Sequence, residues 1–182
     1  MNEVEAIKNK KDIEKIKKAF NNKRDLMLFV LGVNVGLRIS DLLNLKVDDV
    51  LDKKSVTIKE GKTGKSREFT LNTAATKAVN DYLGSISYKP DDYLFKSRKG
   101  ENKPISRVEA WQVLNDAADR AKVKIDIGTH TLRKTFGYWS YKQGIDITLL
   151  QKIFNHSSPA ITLRYIGITQ ENIKDVYLNL NL

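Results

Sequence analysis

Two short runs rich in β-branched and aromatic residues, Ser55–Lys59 and Ser66–Leu71, are separated by the polar link Glu60-Gly61-Lys62-Thr63-Gly64-Lys65. Two glycines in a polar link between strand-like runs predict a β-hairpin. The rest of the chain is patterned mainly at helical spacing. Helices are predicted over Asp12–Asn21, Leu26–Val35 and a short stretch capped by Ser40. Others are predicted over Thr73–Ile86, Ser106–Lys122, Thr131–Lys142, Thr148–Phe154, Ala160–Tyr165 and Gln170–Leu178. Tyr93-Leu94-Phe95 reads as a third strand. The expectation is an α+β fold, mainly helical, with a small antiparallel three-stranded sheet.

At 182 residues the chain suits one globular domain better than two. Lys and Arg number 32 against 22 Asp and Glu, a net charge of +10. Such an excess favours a polyanionic partner, because basic side chains displace the counterions condensed on nucleic acid. There is no cysteine, which excludes disulfides, thiolate metal sites and cysteine nucleophiles. No apolar run approaches the roughly 20 residues that span a bilayer. Met1 to Lys18 carries lysines and glutamates in place of the apolar core of a secretory signal, so a cytoplasmic protein with no membrane partner is expected.

Three features carry chemistry. Gly36-Leu37-Arg38-Ile39-Ser40 puts an arginine at a helix-to-helix junction among apolar residues. His130-Thr131-Leu132-Arg133 puts a histidine and an arginine on one helix face. His156 and Tyr165 lie nine residues apart across Ser157-Ser158-Pro159. Singly, each has a plain structural reading: a salt-bridged arginine, a satisfied histidine, a packing tyrosine.

Together they resemble the tyrosine recombinase and phage integrase family, over about Asp12 to Tyr177. The resemblance rests on Arg38 in Gly-Leu-Arg-Ile-Ser-Asp-Leu-Leu, Lys62 in Gly-Lys-Thr-Gly-Lys-Ser-Arg, His130 and Arg133 in His-Thr-Leu-Arg, His156 in Asn-His-Ser-Ser, and Tyr165 in Ala-Ile-Thr-Leu-Arg-Tyr. It implies an enzyme that breaks and rejoins DNA through a 3′-phosphotyrosine, with Tyr165 as nucleophile. Arg38, Arg133 and His156 would bind the phosphate, His130 would take the phenolic proton, and Lys62, with Lys65 as its rival, would protonate the departing 5′-oxygen. Guanidinium groups suit the task because they stay charged and can bind two phosphate oxygens at once. Implied partners are double-stranded DNA and further copies of the chain, as a homotetramer on two duplexes; no metal or other cofactor is implied.

Two other readings stay open from sequence: a type IB topoisomerase-like enzyme that only nicks and closes DNA, and a DNA-binding relic of the fold. Relatives usually carry an N-terminal helical domain that closes around DNA from the other side. Residues 1–182 are read as the catalytic domain alone with that clamp absent, so weak, salt-sensitive DNA binding is expected. Asn155 stands where many relatives have glycine before the later histidine, and a left-handed turn is expected there. Asp41 is assigned to orienting the Arg38 loop or capping its helix. Trp111 and Trp139 are assigned to the core. The apolar stripe beyond Tyr165, from Ile173 to Leu180, either covers the core or docks on a neighbouring subunit.

Overall fold

The computed structural model describes residues 4–128, 130–168 and 178. In chain order the elements are α1 (Lys10–Lys18), α2 (Lys23–Val35), α3 (Ile39–Leu43), α4 (Val47–Val50), β1 (Ser55–Lys59), β2 (Ser66–Thr70), α5 (Thr73–Leu83), α6 (Arg107–Arg120), α7 (Thr131–Lys142), α8 (Ile147–Phe154) and α9 (Pro159–Tyr165). The predicted helix over Gln170–Leu178 and the apolar stripe from Ile173 to Leu180 lie outside the described residues, apart from an exposed Leu178.

α2 is the central element. Its sequence, KRDLMLFVLGVNV, is apolar nearly all round, the mark of a helix enclosed by protein. Met27 to Leu31 are all buried, and α5 and α7 pack on either side. Asn22 caps its first turn by accepting from the Asp25 N–H, and Gly36 ends it in a left-handed conformation. Most of the core is one cluster gathered around α2, with α5, α6 and the hairpin. A smaller cluster of Ala6, Tyr138, Phe154 and Ile166 lies between α7, α8 and the segment after Tyr165.

The hairpin forms as predicted, with Val56 paired opposite Phe69 and both buried. The sheet has two strands, which corrects the expected third. Tyr93 makes a single antiparallel bridge to Lys46, and Lys96 one to Pro104. Leu94 and Phe95 are instead core residues: the Leu94 N–H donates to Leu45 O and Phe95 O accepts from Ile105 N–H. An apolar run flanked by core partners takes the look of a strand without a ladder to join.

Two smaller corrections concern caps and burial. Arg38, with no side-chain bond, holds the N-cap position of α3, and Ser40 lies inside that helix. Trp111 is half exposed on α6, where a core position was expected, whereas Trp139 is partly buried and donates through Nε1 to Ile7 O. That bond, with one from Ile7 N–H to Thr135 Oγ1, straps the residues before α1 onto α7. None of the described helices is long and apolar enough to cross a membrane.

Candidate active site

The left-handed turn at Gly36 (φ 58°) delivers Arg38 to the hairpin side of α2. A side chain at position 36 would meet Phe136, since a Cβ there would lie 2.3 Å from Phe136 Cδ1. Arg38 Nη1 sits 2.6 Å from Glu60 Oε2 and 3.8 Å from Asp41 Oδ2. The Glu60 contact is a close charge pair, and Asp41 stands on the other side of the same nitrogen. Asp41 orients the hairpin, because its Oδ1 accepts from the Gly61 N–H at 3.0 Å.

Arg133 rises from the first turn of α7 and is 3% exposed. Its guanidinium donates to the carbonyls of Gly36 and Phe154 and lies 4.6 Å from the centroid of the Phe154 ring. Burial, then the positive charge of Arg67, pushes its pKa down to about 10, still well above neutral, so the group remains a cation. Two carbonyls and a ring face thus fix a permanent positive charge in the floor of the site.

His130 precedes α7, and Tyr165 closes α9. His130 Nδ1 and the Tyr165 hydroxyl are 3.2 Å apart. Burial, with the charges of Arg133, Lys134, Lys62 and Arg38, holds His130 below the ordinary histidine value and therefore neutral at pH 7. Burial raises the phenol of Tyr165, and the charges of Arg133 and Arg38 work against that rise. The Lys134 ammonium lies 5.3 Å from the Tyr165 ring centroid.

His156 follows the turn that ends α8. Asn155 adopts φ 56° and ψ 47°, the left-handed conformation expected of it, and the His156 N–H then bonds back to Gln151 O. The His156 ring stands 5.0 Å from the Tyr165 ring and 5.4 Å from that of Phe154. Its Nδ1 meets the buried Thr162 hydroxyl at 3.1 Å, so α9 fixes the imidazole that faces its own tyrosine.

The structure therefore brings Arg38, Arg133, His130, His156 and Tyr165 to one place. Lys62 is exposed at the hairpin turn, with no hydrogen bond or ion pair to the described residues, yet close enough for its charge to act on His130. Lys65 is engaged elsewhere, donating to Asn155 Oδ1 at 3.3 Å. Three contributors escape sequence reasoning: Glu60, Arg67 and Thr162. Glu60 and Arg67 are quoted within the hairpin motif, but only their burial, at 4% exposure for Glu60, separates them from a solvated polar link. Among the described residues no three His, Asp or Glu side chains gather into a metal-binding group.

Fold and site together define a class: a helical domain that sets a tyrosine against two histidines and two arginines beside a basic hairpin. The profile of the phage integrase family matches residues 7–172. The chain is 42% identical, over 97% of each protein, to a probable integrase/recombinase, YoeC, of Bacillus subtilis. It is 34% identical to the tyrosine recombinase XerD of Corynebacterium glutamicum, covering 85% of this chain and 51% of that one, so it spans about half the length of that relative. The crystal structure of XerA recombinase superimposes with a TM-score of 0.80 over 98% of this chain and 67% of that chain, at 22% identity, which establishes the shared fold. The chain belongs to the phage integrase family.

Proposed function

We propose that the chain is a site-specific DNA recombinase that cuts and rejoins strands through a phosphotyrosine at Tyr165. The observation that carries this reading is the 3.2 Å contact between the Tyr165 hydroxyl and a neutral His130, set above the buried cation of Arg133. A phenol has an ordinary pKa near 10, so it needs a base and nearby positive charge to attack at neutral pH. His130 and the Arg133 cation are suited to supply them.

Tyr165 Oη attacks the phosphorus of a DNA phosphodiester and passes its proton to His130 Nδ1. The P–O5′ bond breaks, and the leaving oxygen takes a proton from Lys62. The product is a 3′-phosphotyrosine and a 5′-hydroxyl. The energy of the broken ester is retained in the new one, so a 5′-hydroxyl can reverse the step on the same strand or on a partner strand. Arg38 and Arg133 stabilise the charge that grows on the non-bridging oxygens, the kind of fixed electrostatic contribution that is usually largest in such sites. For His156, Nδ1 is taken up with the Thr162 hydroxyl, and Nε2 is the nitrogen left to meet a phosphate oxygen. Lys62 is favoured over Lys65 because it is uncommitted among the described residues. Strand exchange between two duplexes would use four copies of the chain, each cutting one strand, with residues 1–182 supplying the catalytic part.

The test is a nicked suicide duplex drawn from a pool of candidate sequences. Tyr165 should give an SDS-stable protein–DNA band and Tyr165→Phe should give none while still binding DNA in a gel shift. A band that persists in Tyr165→Phe would overturn the reading. Relaxation of supercoils without exchange between duplexes would limit the activity to nicking and closing.

A further inference from the structure

Behind Arg38 lies a charge arrangement that the steps above do not use. Glu60 is 4% exposed and sits between two arginines and a hydroxyl. Its Oε2 meets Arg38 Nη1 at 2.6 Å and accepts from Thr63 Oγ1 at 2.8 Å, while Oε1 lies 3.5 Å from Arg67 Nη1. Burial works against its charged form, but the contacts with Arg38 and Thr63 and the charges of Arg38 and Arg67 outweigh it, and the carboxyl stays below its ordinary value.

The same residue frames the turn that carries Lys62. The Glu60 N–H donates to Lys65 O at 2.9 Å, and Glu60 O accepts from the Gly64 N–H at 2.8 Å. Asp41, the other acid near Arg38, holds the Gly61 N–H. Two acids thus face the first arginine on one side and brace the Lys62 turn on the other. The Arg38 Nη1 contact with Glu60 Oε2 is a close charge pair that a better acceptor can replace. A phosphate oxygen is such an acceptor. When Arg38 turns to it, Glu60 does not become an isolated buried charge, because Arg67 stays beside it, anchored by Nη2 to the carbonyls of Val35 and Gly36.

We propose that Glu60 is a positioning residue that occupies Arg38 until a DNA phosphate captures the guanidinium, and that it thereby ties the placement of Lys62 to phosphate capture. This rests on the reading of Arg38 as a phosphate ligand.

The experiment compares the full chain with Glu60→Gln and Glu68→Gln. Glu68 is an exposed acid on the same hairpin, bonded to Ser55 Oγ, and reports what the loss of one negative charge does by itself. Binding of inorganic phosphate and of a nonspecific duplex is measured alongside single-turnover cleavage of the nicked duplex. Glu60→Gln should bind both about five-fold more tightly than Glu68→Gln and cleave about ten-fold more slowly once bound. A merely structural loss would weaken both. Binding no tighter than that of Glu68→Gln overturns the proposal. A glutamine between two arginines can cost stability, so amide exchange at Gly61 and Gly64 is also followed in the unaltered chain. Saturating inorganic phosphate should speed it, and unchanged exchange overturns the proposal. An unaltered chain that binds duplex without forming a phosphotyrosine band counts against the recombinase reading, while the binding contrast and the exchange data still decide the role of Glu60.

Discussion

The Tyr165 hydroxyl and His130 Nδ1 are in hydrogen-bond contact, with their rings edge to face. Because burial and the surrounding cations keep His130 below its ordinary value of 6.5, it is mostly a neutral acceptor at pH 7. The rate of phosphotyrosine formation should therefore fall by less than half from pH 7.5 to 6.5 and decline mainly at more acid pH. In His130→Gln the rate should fall by about 10²-fold. A rate that already halves between pH 7.5 and 6.5 would contradict the assignment.

The same displacement has a consequence for stability. His130 and His156 are both held low, chiefly by burial. Below the unfolded value near 6.5 the unfolded chain binds protons that the native one refuses, so stability falls with pH across the window between 6.5 and the lower native values. Thermal unfolding should shift downward on passing from pH 7 to pH 5.5, and His156→Gln should reduce that shift. A shift of equal size in the variant would remove His156 as its source.

Arg133 is bound too closely to be exchanged for another cation. Lysine can neither reach both carbonyls in a plane nor stack on Phe154 as a guanidinium does. Arg133→Lys should abolish most of the phosphotyrosine band. Arg133→Ala should also lower stability by about 1–3 kcal/mol, because it leaves the Phe154 carbonyl unpaired and the Gly36 carbonyl with Arg67 alone. Denaturant unfolding separates the two effects. A stable and active Arg133→Lys would show that charge alone suffices.

At Asn155 the backbone decides. Its left-handed conformation suits glycine and tolerates asparagine. Asn155→Gly should unfold at about the temperature of the parent, and Asn155→Ala should lose about 1 kcal/mol. The alanine variant should also lose cleavage activity, since this turn sets the path into His156. Equal stability of the glycine and alanine variants would refute the turn argument.

The residues that the structure gathers around Tyr165 were legible in sequence because they sit in short motifs whose spacing survives folding. α7 begins at Thr131 and puts Arg133 one turn from His130, as the motif implied. What holds those residues was less legible. Glu60 and Arg67 read as polar hairpin residues, since burial arises from the docking of the hairpin on the end of α2, a contact between distant parts of the chain. Ala6 and Ile7 stand among lysines and glutamates before α1, where nothing local marks them as core, yet they are buried against α7. The third strand failed for a related reason: Leu94 and Phe95 are apolar because the core needs them, and nothing local distinguishes that need from a ladder.

The carbonyl oxygen of Gly36 accepts from both Arg67 and Arg133, and so joins the hairpin to the floor of the site through a single atom. That atom belongs to the main chain and is common to every amino acid, so no codon change can delete it. Substitution scanning would overlook this junction entirely. Only chemistry applied to the backbone, such as replacing the following amide with an ester to weaken the acceptor, could tune the coupling while every side chain stays in place.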